Sequence, residues 1–226
     1  MDKDNISTAS ASQLQFKKIL FVVAILLGLT YLFCFQLKPF SFSGLLKASP
    51  VLLLGVIGLF FTTWTNRDKI LYLAATVTSG LGDYFLDIDR NLYLKQALAS
   101  FLVSLILYIF LFKTKIKGYK YWIAIPFAIF LGVMTYLFYS TAGSMFIPVV
   151  LYSLVLCTMA FYGINTRVLP IQIGGILFLI ADSLIGINRF LHPFDYSTLI
   201  IVSIYMSAQF FIGYGLLFGN KEEAKV

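Results

Sequence analysis

Only 12% of this 226-residue chain is charged, about half of what a soluble domain of its size uses to cover its surface. That shortage excludes a water-soluble fold and leaves bilayer lipid as the solvent. Cysteine is scarce too. Cys34 and Cys157 both fall inside apolar stretches, so they read as small packing residues and not as a disulfide or metal framework. The single histidine, His192, stands next to Pro193 in a loop and reads as solvated. The chain has no Cys/His metal spacing, no glycine loop shaped to cradle phosphate and no serine nucleophile elbow. No metal or cofactor is therefore expected.

What the chain has in abundance is apolar length. Hydrophobic residues make up 60% of it, with a mean hydropathy of +0.90. Apolar windows lie at 19–37, 45–64, 69–86, 92–112, 121–139, 145–163, 168–187 and 197–218. Each approaches the ~20 residues that a spanning helix needs. The expectation is an all-α membrane protein, a bundle of eight transmembrane helices over residues 17–219, with polar tails at 1–16 and 220–226. Lys17-Lys18 followed by an apolar run resembles a signal peptide, but the run continues to Leu37 without a small-x-small cleavage site, so it reads as the first span.

The net charge of +7 does not mark a nucleic-acid binder, because the Lys and Arg are scattered through short loops. They mark topology instead. Eight spans put both termini on one side, and twelve of the seventeen Lys and Arg fall there, many between Lys113 and Lys120. The positive-inside rule makes that side cytoplasmic, which fits a bacterial inner membrane or an internal eukaryotic one. A weak internal repeat points to two four-helix halves: nearly the same interval separates Pro50 from Pro148 as separates Asp83 from Asp182.

Most acids lie in tails or loops, and the segment Asp87-Ile-Asp-Arg90 reads as a solvated helix end. Asp83 and Asp182 do not fit that pattern. Each sits inside a span, where an ionisable group costs ~2.5–3.5 kcal/mol and must face the bundle interior with a partner. Both spans run in the same direction, which predicts a shared depth toward the non-cytoplasmic side. Lys47, Asn188 and Arg189 are expected toward that face as well. Ser79, Gly80 and Gly82 beside Asp83, and Gly174, Gly175 and Ala181 before Asp182, are small enough for close helix approach. Tyr108, Tyr152, Tyr205, Gln172 and Gln209 are further polar groups within spans. Gln209 must have partners, since a buried amide needs them.

These residues carry a resemblance. Lys47-Ala-Ser-Pro50, Gly82-Asp83, the block from Gly175 to Phe190 and the Tyr205-to-Gln209 spacing resemble the YhhN-like lysoplasmalogenase family of membrane proteins. The likeness runs from the second span to the eighth. It implies eight transmembrane helices, a lysophospholipid substrate taken from among the membrane lipids, no protein partner, and hydrolysis of the vinyl-ether bond to a fatty aldehyde and a glycerophospho-base. It implies Asp83 and Asp182 as the essential acids, with Lys47, Asn188, Arg189, Tyr205 and Gln209 near the substrate. One position departs: many relatives have histidine in a Phe-Leu-x-x-His-x-x-Tyr pattern where this chain reads Phe101 to Tyr108 with Leu105.

The chemistry asks for such acids. Vinyl-ether cleavage begins with a proton delivered to the outer alkene carbon, and water then adds to the resulting oxocarbenium ion. One carboxyl must donate that proton near pH 7, and a second must guide water and offset the cation. Two other functions share the same features. Intramembrane acids and an internal repeat also describe a small-molecule or proton-coupled transporter, and Leu105 leaves room for a lipid-binding relative without activity.

Overall fold

A computed structural model describes residues 3–37 and 40–219, with side chains from Ser12 onward, and every regular element among them is helical. The α-helices are α1 (Lys3–Cys34), α2 (Ser43–Phe60), α3 (Asn66–Ile88), α4 (Leu94–Lys113), α5 (Ala124–Tyr139), α6 (Phe146–Asn165), α7 (Leu169–Gly186) and α8 (Ser197–Phe218). Seven of them are long and apolar enough to cross a bilayer. The exception is α3, which has the length, 23 residues, but carries Arg67, Asp68 and Lys69 in its first turn and Asp83 and Asp87 toward its end. The chain is an integral, multi-pass helical membrane protein.

Helix α1 starts at Lys3 and takes in most of the segment read as a polar tail. Once the apolar span has nucleated the helix, each added residue gains a hydrogen bond at little cost, and the Ala, Gln and Lys of that segment are good helix formers. The 220–226 tail and Lys38 lie outside the described residues. The chain also divides into two compact units, residues 1–100 and 101–226. That boundary falls inside α4 and not after it, where a four-helix repeat would break.

In the first unit α2 packs against both α1 and α3. Helix α3 opens on Thr65, whose hydroxyl accepts from the Asp68 amide at 3.2 Å and so occupies one of the orphan donors of the first turn. Helix α2 holds Pro50 in its interior, which deprives the Leu46 carbonyl of its usual donor. The Ser49 hydroxyl takes that place at 2.8 Å, the kind of local repair that lipid-embedded proline requires. Contact between α2 and α3 is tight enough that a Cβ on Gly55 would stand 2.1 Å from the Thr76 hydroxyl.

In the second unit α7 is the central element, packed on α6 and on α8. Its consecutive glycines serve one neighbour each. A Cβ on Gly174 would meet the Ala208 carbonyl of α8 at 2.8 Å, and one on Gly175 would meet the Ala160 Cα of α6 at 3.6 Å. Side-by-side small residues therefore let α7 touch both helices at backbone distance. Helix α5 packs on α6 and leaves most of its apolar surface for lipid.

Candidate functional site

Each unit buries one of the two intramembrane aspartates. In the first, Asp83 projects from α3 and the Lys47 ammonium of α2 lies 3.3 Å from its Oδ1, with side chains only 1% and 5% exposed. Charges withdrawn this far from water persist only when paired, since a lone one would cost several kcal/mol. Thr76 and Ser79, also buried, precede Asp83 on the same α3 face. One turn further on, Asp87 accepts from the Tyr31 hydroxyl of α1 and from the Ser43 hydroxyl that opens α2, both at 2.5 Å. The α3 face facing its neighbours is thus a polar ladder.

Two sequence readings change at this point. Lys47 was expected toward the non-cytoplasmic face and near the substrate; it is buried, and Asp83 is its partner. Asp87 was read as part of a solvated helix end; it is a half-buried acceptor that ties α1 and α2 to α3. The solvated reading holds for exposed Asp89, whose carboxylate accepts from the Asn91 and Leu92 amides at 2.8 and 3.0 Å and shapes the turn.

In the second unit Asp182 is buried on α7 and accepts a hydrogen bond through Oδ2 from the Tyr152 hydroxyl of α6. Tyr152 is itself buried, so this hydrogen bond is shielded from water. The Gln209 amide of α8 is satisfied as expected. Its Oε1 accepts from the Tyr108 hydroxyl of α4 at 2.8 Å and its Nε2 donates to the Tyr205 hydroxyl at 3.1 Å. Phe178, one turn before Asp182, meets the Tyr205 ring edge to face at 5.4 Å. Asp182 and the Tyr205–Gln209 pair therefore belong to one neighbourhood in the packing of α7 on α8. Leu105, at the position where many relatives have histidine, is fully buried on α4.

Asn188 and Arg189 lie just past α7 in a π-helical turn, Ile187–Leu191. The His192 amide closes that turn on the Ile187 carbonyl at 2.9 Å. Asn188 accepts from the Phe194 amide at 3.2 Å and so organises the loop, while Arg189 is exposed at its surface. His192 is exposed, as expected. Gln172 donates to the Ile164 carbonyl at 2.9 Å and joins α7 to α6. Sequence reasoning noted Tyr152 as a polar group within a span and left it out of the site. Its spacing from Asp182 carries no signal, because the two meet only through packing of α6 on α7.

The arrangement defines a class: a multi-pass membrane protein that holds acid–base groups inside its helices, each acid with a dedicated polar partner. The chain belongs to the YhhN family, whose pattern matches residues 42–216, from the start of α2 almost to the end of α8. No curated protein and no solved structure matches it.

Proposed function

We propose that this chain is an intramembrane hydrolase that cleaves the vinyl-ether bond of lysoplasmalogens, releasing a fatty aldehyde and a glycerophospho-base. Membership of the YhhN family supports a role of this type. The observation that carries the chemistry is the unequal setting of the two buried acids. Lys47 gives Asp83 a countercharge at 3.3 Å, which suits a carboxylate. Asp182 accepts from Tyr152, a neutral hydroxyl donor that brings no countercharge.

In this reading Asp182 is the general acid. Its proton passes to the outer alkene carbon, and the positive charge moves to the carbon bonded to the ether oxygen. Water then adds to that carbon and gives up a proton to a carboxylate, giving a hemiacetal; Asp83, ion-paired within its own unit, is suited to stay ionised. Collapse of the hemiacetal breaks the carbon–oxygen bond to glycerol, with the alkoxide taking a proton and the hydroxyl losing one. No redox step and no metal is needed. Tyr205 and Gln209 would stand near the alkenyl chain on the Asp182 side, Asn188 and Arg189 would serve the headgroup end, and both termini are taken to be cytoplasmic. The test is aldehyde release from lysoplasmalogen by the purified chain and by Asp83→Asn and Asp182→Asn. Asp182→Asn is expected to fold and to lose turnover, and Asp83→Asn, which leaves Lys47 without its countercharge, is read with Lys47→Met added to restore the fold; retained turnover in either removes that aspartate from the mechanism.

A further inference from the structure

The polar ladder on α3 has a regularity that the ion pair alone does not explain. Ser43 and Lys47 stand one turn apart on α2, and Asp83 and Asp87 stand one turn apart on α3, so each pair shares a helix face. The Ser43 hydroxyl meets Asp87 at 2.5 Å and the Lys47 ammonium meets Asp83 at 3.3 Å. Numbers that rise by four on α2 fall by four on α3. The helices therefore run antiparallel here, and the two contacts are successive rungs of one register.

Small residues bring the helices together beside both rungs. A Cβ on Gly44 would stand 2.8 Å from the Tyr84 ring, next to Ser43, and one on Gly80 would stand 3.1 Å from the Leu52 side chain, beyond Lys47. Lipid tails are as apolar as the side chains they replace, so apolar burial does little to fix one helix along another. Close packing and polar contacts must set that position instead.

A third helix bears on the outer rung. Tyr31 of α1, only 1% exposed, donates to Asp87 Oδ1, while Ser43 donates to Oδ2. Helix α1 packs on α2, and the long Tyr31 side chain carries its hydroxyl on to α3. One donor from each neighbour holds the Asp87 carboxylate in a single orientation. That carboxylate attracts the Lys47 ammonium as well, second to Asp83 itself, with Arg90 at the helix end opposing. If these helices needed only to be anchored, apolar residues of similar volume would serve as well as a half-buried acid that loses hydration. An acid is called for where a neighbouring charge has to be held in place.

We infer that Tyr31 and Ser43, acting through Asp87, are positioning residues for the Lys47–Asp83 pair, setting the register of α2 on α3 that keeps the ammonium against the carboxylate. Its bearing on turnover rests on the proposed reading of Asp83 as the carboxylate that stays ionised. Tyr31 precedes the segment 42–216 that the family pattern matches, so a helix outside that pattern contributes to the site.

The test compares the full chain in lipid nanodiscs with Tyr31→Phe and Ser43→Ala, each well below its melting temperature. A hydrophobic carbodiimide probes the pair directly. It attacks a protonated carboxyl in lipid and spares a carboxylate held by a cation, and tandem mass spectrometry locates the adduct at Asp83. Asp83 is expected to label slowly in the wild type and about fivefold faster in each variant, as loss of one hydrogen bond implies. Turnover of lysoplasmalogen is expected to fall by a similar factor in kcat with KM unchanged. Ser43→Thr keeps the hydroxyl and is expected to keep both properties. Should Ser43→Ala not fold, Tyr31→Phe decides, since it removes one hydroxyl and little volume.

Variants that melt lower yet label and turn over as the wild type does overturn the proposal. So does a fall in kcat without faster labelling, or an Asp83 that labels as fast in the wild type as in Tyr31→Phe. Absence of wild-type turnover counts against the proposed reaction alone, and labelling then decides the positioning by itself. Faster labelling with kcat unchanged upholds the positioning and removes Asp83 from the reaction.

Discussion

The Lys47 ammonium of α2 and the Asp83 carboxylate of α3 form an ion pair at 3.3 Å in a part of the chain that water does not reach. Neither charge is tolerable there alone, so the pair acts together in the stability of the unit 1–100 and, on the proposed reading, in the chemistry. Lys47→Met is expected to destabilise the protein by about 3–5 kcal/mol, since it leaves Asp83 buried without its cation. Adding Asp83→Asn to Lys47→Met should restore most of the thermal stability in detergent and none of the turnover. A double variant no more stable than the single one would mean that the pair is not the source of the loss.

Tyr152 holds the other acid. Tyr152→Phe removes the hydroxyl and leaves a buried acceptor short of a donor, a cost of about 1–3 kcal/mol. Turnover should fall about 10²-fold, as for loss of a group that positions an acid, with little change in KM. A KM effect without a kcat effect would assign Tyr152 to substrate contact instead.

If Asp83 and Asp182 act in one reaction, their losses are not additive. Asp83→Asn and Asp182→Asn should each reduce aldehyde release to background, and the double variant should be no slower than either. Stepwise, multiplying losses would show the two carboxyls to be working independently.

Gly174 and Gly132 test the packing account as a pair. Ala at Gly174 places a methyl 2.7 Å from Ile212 Cγ1 and 2.8 Å from the Ala208 carbonyl, so α7 and α8 must separate. A loss of about 1–3 kcal/mol is expected. Ala at Gly132 in α5 meets nothing within 4 Å and should be neutral or stabilising by up to about 1 kcal/mol. Melting temperatures in one detergent compare the two directly.

The Tyr108–Gln209 hydrogen bond calls for a double-mutant cycle with Tyr108→Phe and Gln209→Leu. Interhelical hydrogen bonds within membranes couple by about 0.6 kcal/mol on average and reach about 1.7 kcal/mol. Coupling near zero would assign Gln209 to the site and not to packing.

The spans were readable in the sequence because lipid imposes a length and an apolarity that local composition records directly. Asp83 and Asp182 were readable for the same reason: an acid in such surroundings must turn inward to a partner. What composition does not record is who that partner is. Lys47, near a span end, read as a cation toward the non-cytoplasmic face and near the substrate; packing of α2 on α3 turns it onto Asp83. Asp87 was mistaken for a solvated residue because Asp89 and Arg90 beside it are typical of a helix end. Its true partners, Tyr31 and Ser43, are 56 and 44 residues away. The π turn that carries Asn188 and Arg189 was invisible because hydropathy says nothing about hydrogen-bond register.

The most direct test of the account is hydrolysis in D₂O. The purified chain is given lysoplasmalogen and, separately, an ester-linked lysophospholipid, and any aldehyde is reduced as it forms. Proton delivery to the outer alkene carbon predicts aldehyde from the vinyl ether, carrying one deuterium on the carbon next to the carbonyl, and no fatty acid from the ester. Fatty acid from the ester with no aldehyde from the vinyl ether would contradict it.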